Sequence, residues 1–287
     1  PAFYHALGWA LVGEMHAFRF RPESLIDPGG GSRVRRATAE DAAAIAACYG
    51  RIAEQSNGLI ARTPRIWRSH LDGGGTHTYV VAGDGVRGYI IVQFGRASSP
   101  EEKPLFVREL VAVDHDAYDA LLSWISSQRD AWRIVHYDAH PDERFVHRLS
   151  DPRAPRHRPA RYLWAPVARV IRGPMLRILD VKGALEKRAR WGPAAPMSFG
   201  LHVIDELVPG NEGPWTVEYD GRRASVQRGT AARPLLRLPV TTLAQIFAGE
   251  LTVAEALMLS LAECDGDASA IDALFRVSVC FRLLDEF

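Results

Sequence analysis

Four histidines, His115, His136, His140 and His147, fall in a stretch that also carries carboxylates, most densely at Tyr137-Asp138-Ala139-His140-Pro141-Asp142-Glu143. Imidazole and carboxylate together are the donors of divalent-metal sites. Here no two of them have a recognised ligand spacing on one helix face, so no metal is expected. Downstream, Asp151-Pro152-Arg153-Ala154-Pro155-Arg156-His157-Arg158-Pro159-Ala160-Arg161 could present an anion or nucleic-acid patch. Its prolines keep it extended, and its arginines lack interleaved aromatics, so a solvated linker is the expectation. Cys48, Cys264 and Cys280 are odd in number, far apart and without Cys-x-x-Cys spacing, which fits reduced thiols in a cytoplasm better than a disulfide frame. The remaining candidate is a phenol, Tyr4, in the opening stretch Phe3-Tyr4-His5-Ala6-Leu7-Gly8-Trp9. An unperturbed phenol has a pKa of ~10 and can donate a proton without first being ionised.

These residues sit in a chain of 287 residues, long enough for two ordinary domains with apolar cores. With 35 basic and 34 acidic residues the formal charge is +1, so no overall field favours nucleic acid or an anionic membrane. No apolar run approaches the ~20 residues of a membrane span and no signal peptide is visible, so neither a nucleic-acid nor a membrane partner is expected.

Local patterns give the elements. An aromatic pair, one helical turn, Gly8 and Trp9 lead into an alternating strand, Leu11-Val12-Gly13-Glu14-Met15-His16-Ala17-Phe18-Arg19-Phe20. Asp27-Pro28-Gly29-Gly30-Gly31-Ser32 reads as a boundary. A short strand from Val34 follows, then a helix with Thr38 as N-cap and Asp41 in the capping-box position. The β-rich runs 78–82 and 88–94 are joined across Gly83-Asp84-Gly85 as a hairpin, followed by a strand over 105–113 and a helix over 117–127. A strand and a helix starting at Asp180 come next, then strands over 198–204, 213–219 and 224–228. A strand, cap and helix run from Leu238 to Gly249, and helices are predicted over 253–261 and 268–275. Apolar Cys280, Phe281, Leu283 and Leu284 predict a packed tail.

Three of these segments resemble known families. The Phe-Tyr-x-x-x-Gly-aromatic helix and its strand resemble the end of a GNAT acetyltransferase core, where such a tyrosine points at the sulfur of acetyl-CoA. The strand, cap and helix from Val34, the hairpin and the strand-helix at 105–127 resemble a second GNAT fold. In active members, the turn after that strand carries an Arg/Gln-x-x-Gly-x-Gly/Ala loop that holds the CoA pyrophosphate on backbone N–H groups. Here it reads Asp114-His115-Asp116-Ala117-Tyr118-Asp119, without glycine and with repelling carboxylates, so this copy is read as degenerate. Met175-Leu176-Arg177-Ile178-Leu179-Asp180-Val181-Lys182-Gly183-Ala184-Leu185 is similar to the entrance of a sterol-carrier-protein-like domain. The fold class is therefore expected to be α+β. Residues 1–27 would be the C-terminal end of a catalytic GNAT domain and 28–32 a Gly-rich linker. Residues 33–165 would form a GNAT-like domain without a cofactor loop, and 166–287 a sterol-carrier-protein-like domain with a catalytic C-terminus.

This order, closed by Glu286-Phe287, resembles the Eis (enhanced intracellular survival) acetyltransferases, which acetylate amines of aminoglycosides and other polyamines. The resemblance implies acetyl-CoA as cofactor, an amine-bearing small molecule as substrate and a homo-oligomer. It implies Tyr4 as general acid and the Phe287 carboxylate as base, with Glu286 and Trp9 as substrate-binding residues. An α-carboxyl near ~3.5 is a weak base, so it would act on a partly deprotonated amine, through water, or with a pKa raised by burial. Because the acetyl-CoA-binding loop is not in this sequence, the chain reads as the back part of a longer protein and is expected to be inactive alone. Two rivals keep the same residues. One is a lipid-binding sterol-carrier-like protein, with Val203, Leu207, Val217 and the late helices enclosing an apolar tunnel. The other is a structural fragment whose domains serve as oligomerisation surfaces.

Overall fold

The protein is described from a computed structural model, covering residues 2–72, 74–83, 85–96, 99, 102–153, 166–188, 192–193, 195–229 and 232–285. In chain order the elements are α1 (Ala2–Ala6), β1 (Ala10–Leu11), β2 (Glu14–Phe20), β3 (Val34–Arg36), α2 (Ala42–Ala53), α3 (Pro64–Asp72), β4 (Thr76–Gly83) and β5 (Gly85–Phe94). Next come β6 (Pro104–Ala112), α4 (His115–Ser127), β7 (Ile134–Ala139), β8 (Ala168–Arg172), β9 (Met175–Leu176), α5 (Val181–Arg188) and β10 (Met197–Ile204). Last are β11 (Trp215–Tyr219), β12 (Ala224–Arg228), β13 (Leu235–Pro239), α6 (Val240–Ala248), α7 (Val253–Met258), β14 (Glu263–Cys264) and α8 (Ser269–Phe275). The architecture is α+β.

The chain divides into two compact units, both discontinuous in sequence: residues 1–13 with 172–281, and residues 14–171 with 282–287. The larger unit is built on a seven-stranded sheet in the order β3-β4-β5-β6-β7-β2-β8. Strand alternation places Ile90 and Val92 of β5 in the core under α4, with Leu105, Val107, Phe18 and Phe20. Tyr89 and Ile91, one residue out of phase, pack with Ile45, Cys48 and Tyr49 of α2 on the other face. The central strands are thus buried on both faces, which explains their near-continuous apolar runs. The predicted β4–β5 hairpin forms, with Tyr79 opposite Ile90 and a register shift between Val81 and Ala82, and β6–β7 pair in parallel from Pro104↔Ile134 to Val107↔Tyr137. Asp84 of the hairpin turn lies outside the described residues. Thr38 and Asp41 make the predicted reciprocal contact, with the Thr38 N–H donating to Asp41 at 2.8 Å.

The smaller unit carries a five-stranded sheet, β12-β11-β10-β13-β14, with β10 and β13 parallel. Leu201, Val203 and Val217 from its strands meet Leu243, Ile246, Ile271 and Leu274 of α6 and α8 in one core. Its opening segment is sequence-remote: β1 pairs with β9, Ala10 opposite Leu176 and Leu11 opposite Met175. Gln245 Nε2 donates to the Leu11 carbonyl at 3.3 Å, and the Gly13 N–H donates to Glu250 at 2.9 Å.

One difference from the sequence reading concerns residues 14–27. The sequence joins them to the opening helix as one strand that runs through Gly13. Gly13 instead adopts a φ of +87°, accessible to glycine at little cost, and breaks the strand there. Beyond it β2 pairs with β7, Phe18 opposite Tyr137, as an interior strand of the larger unit. The contact boundary therefore falls after Gly13 rather than at 28–32. The tail likewise leaves the smaller unit after Phe281.

Candidate functional site

Tyr4 lies on α1, a single turn with no buried residue, and its side chain leaves it 52% exposed. The turn that follows is fixed by backbone bonds: the Gly8 N–H donates to the His5 carbonyl at 2.9 Å and the Trp9 N–H to the Tyr4 carbonyl at 3.1 Å. Gly8 has a φ of +79°, and a Cβ there would run into the Arg177 guanidinium. That guanidinium is buried and held by Asp205 at 2.8 Å; Asp205 also accepts from Asn211 Nδ2 at 3.0 Å. The glycine in the aromatic motif is thus required twice, by conformation and by close approach. The turn brings Tyr4 and Trp9 edge to face, ring centroids 6.2 Å apart, with Phe3 against Tyr4 at 5.5 Å. A phenol in this position is accessible and backed by aromatic surface, suited to exchanging a proton with a bound molecule. Glu286 and Phe287 lie outside the described residues.

The tail that leads to them is anchored inside the larger unit. Asp285 Oδ1 accepts from Arg62 Nε at 2.8 Å and meets His70 Nε2 at 3.0 Å. The same Arg62 makes a two-pronged contact with Glu109, at 2.9 and 2.7 Å, and its guanidinium lies 4.1 Å from the Tyr49 ring centre and 4.8 Å from that of Trp67. Tyr89 donates its hydroxyl to Glu109. The Arg62, Glu109 and Asp285 side chains are at most 3% exposed. Burial pushes the Asp285 carboxyl up, but the His70 and Arg62 contacts outweigh it and hold the group below the usual carboxylate range. The Arg282 N–H donates to the Asn57 carbonyl at 2.8 Å and its guanidinium to that of Leu110 at 3.3 Å, while Leu284 packs against the α2 core. Of the four apolar residues that predicted a packed tail, Leu284 packs on a core whereas Cys280 is exposed; the ionic anchor was not legible, because Arg62 and Asp285 are 223 positions apart.

The turn between β6 and α4 is where a GNAT domain would hold a pyrophosphate. Asp114 is the N-cap of α4: its Oδ1 accepts from the Ala117 N–H at 2.9 Å, and its Oδ2 from Arg87 Nε at 2.9 Å. The bond from Ala117, opposed by slight burial and aided by Arg87, keeps this carboxyl ionised below its ordinary range. Asp116 adds a second carboxylate in the first turn. The helix end that would attract phosphate is already satisfied by the chain's own anion, so these residues do not fit a CoA pyrophosphate.

The histidines separate. His115 meets Asp119 at 3.3 Å, and His136 lies on a sheet face 4.8 Å from the Phe106 ring. His140 is pushed down to about 4 by burial and by Arg282. Among the described residues no group of three or more His, Cys, Asp or Glu is placed to hold a metal ion. Of the arginine-rich segment, Arg153 pairs with Asp151 at 2.7 Å; 154–161 lie outside the described residues. Val203 and Val217 are fully buried against the helices of the smaller unit, whereas Leu207 is 55% exposed, so the three do not enclose a common space. No described helix is long and apolar enough to cross a membrane.

Residues 58–178 match the acetyltransferase (GNAT) domain family, and residues 181–280 match the sterol carrier protein domain family. Among solved structures, the chain is similar over its whole length to 70% of a GCN5-related N-acetyltransferase from Anabaena variabilis, with a TM-score of 0.81 at 19% identity. It is similar over its whole length to 68% of one from Kribbella flavida, with a TM-score of 0.78 at 24% identity. Eis1 from Mycobacterium abscessus is similar over 99% of this chain and 70% of its own, with a TM-score of 0.69 at 22% identity. A search of curated proteins found no match. The chain thus carries a GNAT acetyltransferase domain followed by a sterol carrier protein domain.

Proposed function

We propose that this protein works in acetyl transfer from acetyl-CoA to amines of aminoglycosides or polyamine-like small molecules. What carries the reading is the succession of a GNAT and a sterol carrier protein domain, in a fold similar to that of Eis1 over 99% of the chain. In this reading Tyr4 holds a proton at its phenolic oxygen for the leaving group, and its exposure beside Trp9 leaves that oxygen accessible. The Phe287 carboxylate accepts the proton of the amine, Glu286 and Trp9 contact the substrate, and the Asp285 anchor fixes the chain two residues before the base. Two acidic groups at the tail would also favour a polycationic acceptor. Acetyl-CoA binding is assigned to residues other than the β6–α4 turn, whose N-cap Asp114 does not fit it. A homo-oligomer belongs to the same proposal.

The test is acetyl-CoA-dependent thiol release over an aminoglycoside panel, with the native protein, Tyr4→Phe and a variant lacking Phe287. Loss of a general acid or base costs on the order of 10²–10⁴-fold in rate. Such losses in both variants, with the circular dichroism unchanged, support the assignment. Full activity without Phe287 moves the base elsewhere, and full activity of Tyr4→Phe removes the acid role.

A further inference from the structure

The two faces of the larger sheet are covered unequally. On one face α4 lies over Phe18, Val107, Val135 and Tyr137. On the other, α2 packs on β5 and the carboxyl half of β6, through Tyr89, Ile91 and Val111, and stops there. Beyond that point, β6, β7, β2 and β8 turn their other side chains outward.

The register shows what they present. His136 of β7 stands opposite Phe106 of β6 on one side and Arg19 of β2 on the other, so the three form a row across the strands. Two residues along, on the same face, Arg108 follows Phe106 and Asp138 follows His136, with Ala17 opposite Asp138. Together with Arg169 of β8 these side chains line a groove of about 370 Å³. Ala17 adds little bulk to the groove's lining. Arg108 reaches Gln93 at 2.6 Å and lies 5.2 Å from the Phe106 ring, and it has no ion pair among the described residues. Arg19 and Arg169 have no ion pair among the described residues, and Asp138 is the groove's one carboxylate. The strand pairing also sets Arg19 against His136, which burial and that arginine together hold below the ordinary histidine range. Three guanidinium groups facing one carboxylate leave an excess positive charge in a concave, half-enclosed place.

We infer that this groove is a binding site for a small phosphate-bearing anion, held by Arg19, Arg108 and Arg169, with the edge of the Phe106–His136 pair as its apolar wall. Guanidinium forks match phosphate oxygens two at a time and remain charged at every physiological pH, which favours a multiply charged anion over a single carboxylate. Size narrows the class: ligand pockets run from about 300 to 1,000 Å³, and this one is near the lower limit. A phosphate with a short organic body fits; a molecule of the length of CoA does not. The site is independent of the acetyl-transfer reading and uses none of its residues.

The experiment is titration calorimetry of the full chain with inorganic phosphate, glycerol 3-phosphate, citrate and a 12-mer single-stranded RNA, alongside the Arg19→Ala/Arg169→Ala double variant. Saturable binding of glycerol 3-phosphate that weakens at least tenfold in the double variant supports the site. So does an upward shift of the His136 NMR titration on saturation, since a bound anion stabilises the imidazolium against Arg19, Arg108 and Arg169, with Asp138 present in both states. Absence of saturation by any small anion, or affinity unaltered in the double variant, overturns the inference. Preference for citrate overturns the phosphate assignment, and tighter binding of the RNA than of every small probe makes the face a nucleic-acid surface instead.

Discussion

Arg62 and Arg19 belong to the same unit and to opposite electrostatic regimes. Arg62 is sealed under Tyr49 and Trp67 and meets two carboxylates, Glu109 and Asp285. Arg19 stands on an open sheet face, beside a histidine and without an ion pair among the described residues. A buried cation must have its counter-charges supplied by the fold, because leaving one uncompensated costs several kcal/mol. An exposed one has water and can wait for a ligand. The contrast separates charge that builds the protein from charge that is offered to something else.

Breaking the buried set should have the largest effect. Arg62→Ala leaves the buried Glu109 without its cation and Asp285 with His70 alone, and is expected to lower unfolding free energy by about 3–5 kcal/mol in urea denaturation. If it costs less than about 1 kcal/mol, the cluster is not a structural anchor. Asp285→Asn should be milder, and should release the tail, read as faster trimming by carboxypeptidase. That readout is independent of activity, so a loose tail in an active enzyme and a firm tail in an inactive one remain distinct outcomes.

Acid sharpens the same comparison. The folded Asp285 carboxyl titrates below its unfolded value of ~3.9, so its contribution is fully present above that value. It is lost as pH falls through the lower, folded value. Wild type should therefore lose stability more steeply than Asp285→Asn below about pH 4. Parallel curves would mean that His70 and Arg62 do not favour the ionised form.

Smaller still is the cap of α4. Asp114→Ala removes the acceptor for the Ala117 N–H and the partner of Arg87, and should cost about 1 kcal/mol in thermal or chemical unfolding. At the open end of the scale, Arg19→Ala should change stability by no more than about 0.5 kcal/mol. A large loss there would show that Arg19 is part of the core's charge balance and would erase the contrast with Arg62.

The sequence made the periodic parts visible. The β4–β5 hairpin, the Thr38–Asp41 cap, β12 over 224–228 and α6 ending at Gly249 follow from local patterns that their surroundings did not override. The glycine of the opening motif was legible as a motif, but its partner Arg177 was not, since that contact depends on β1 adding to β9. Residues 14–20 read as a continuation of the opening strand; the positive φ of Gly13 and pairing with β7 decide otherwise, and the pairing is not local information. The groove escaped notice for the same reason. Arg19, Phe106 and His136 are unremarkable outward positions on three separate strands until the register lines them up.

The distance along the chain between Arg62 and Asp285 also sets a schedule. A ribosome adds roughly 5–20 residues per second, so the 223 positions separating them take about 11–45 s to make. Throughout that interval Arg62 can meet Glu109 but not its second carboxylate, and the α2 side of the larger unit lacks Leu284. Completion of that side is therefore a late, long-range event, of the kind that slows folding and leaves apolar surface open to chaperones.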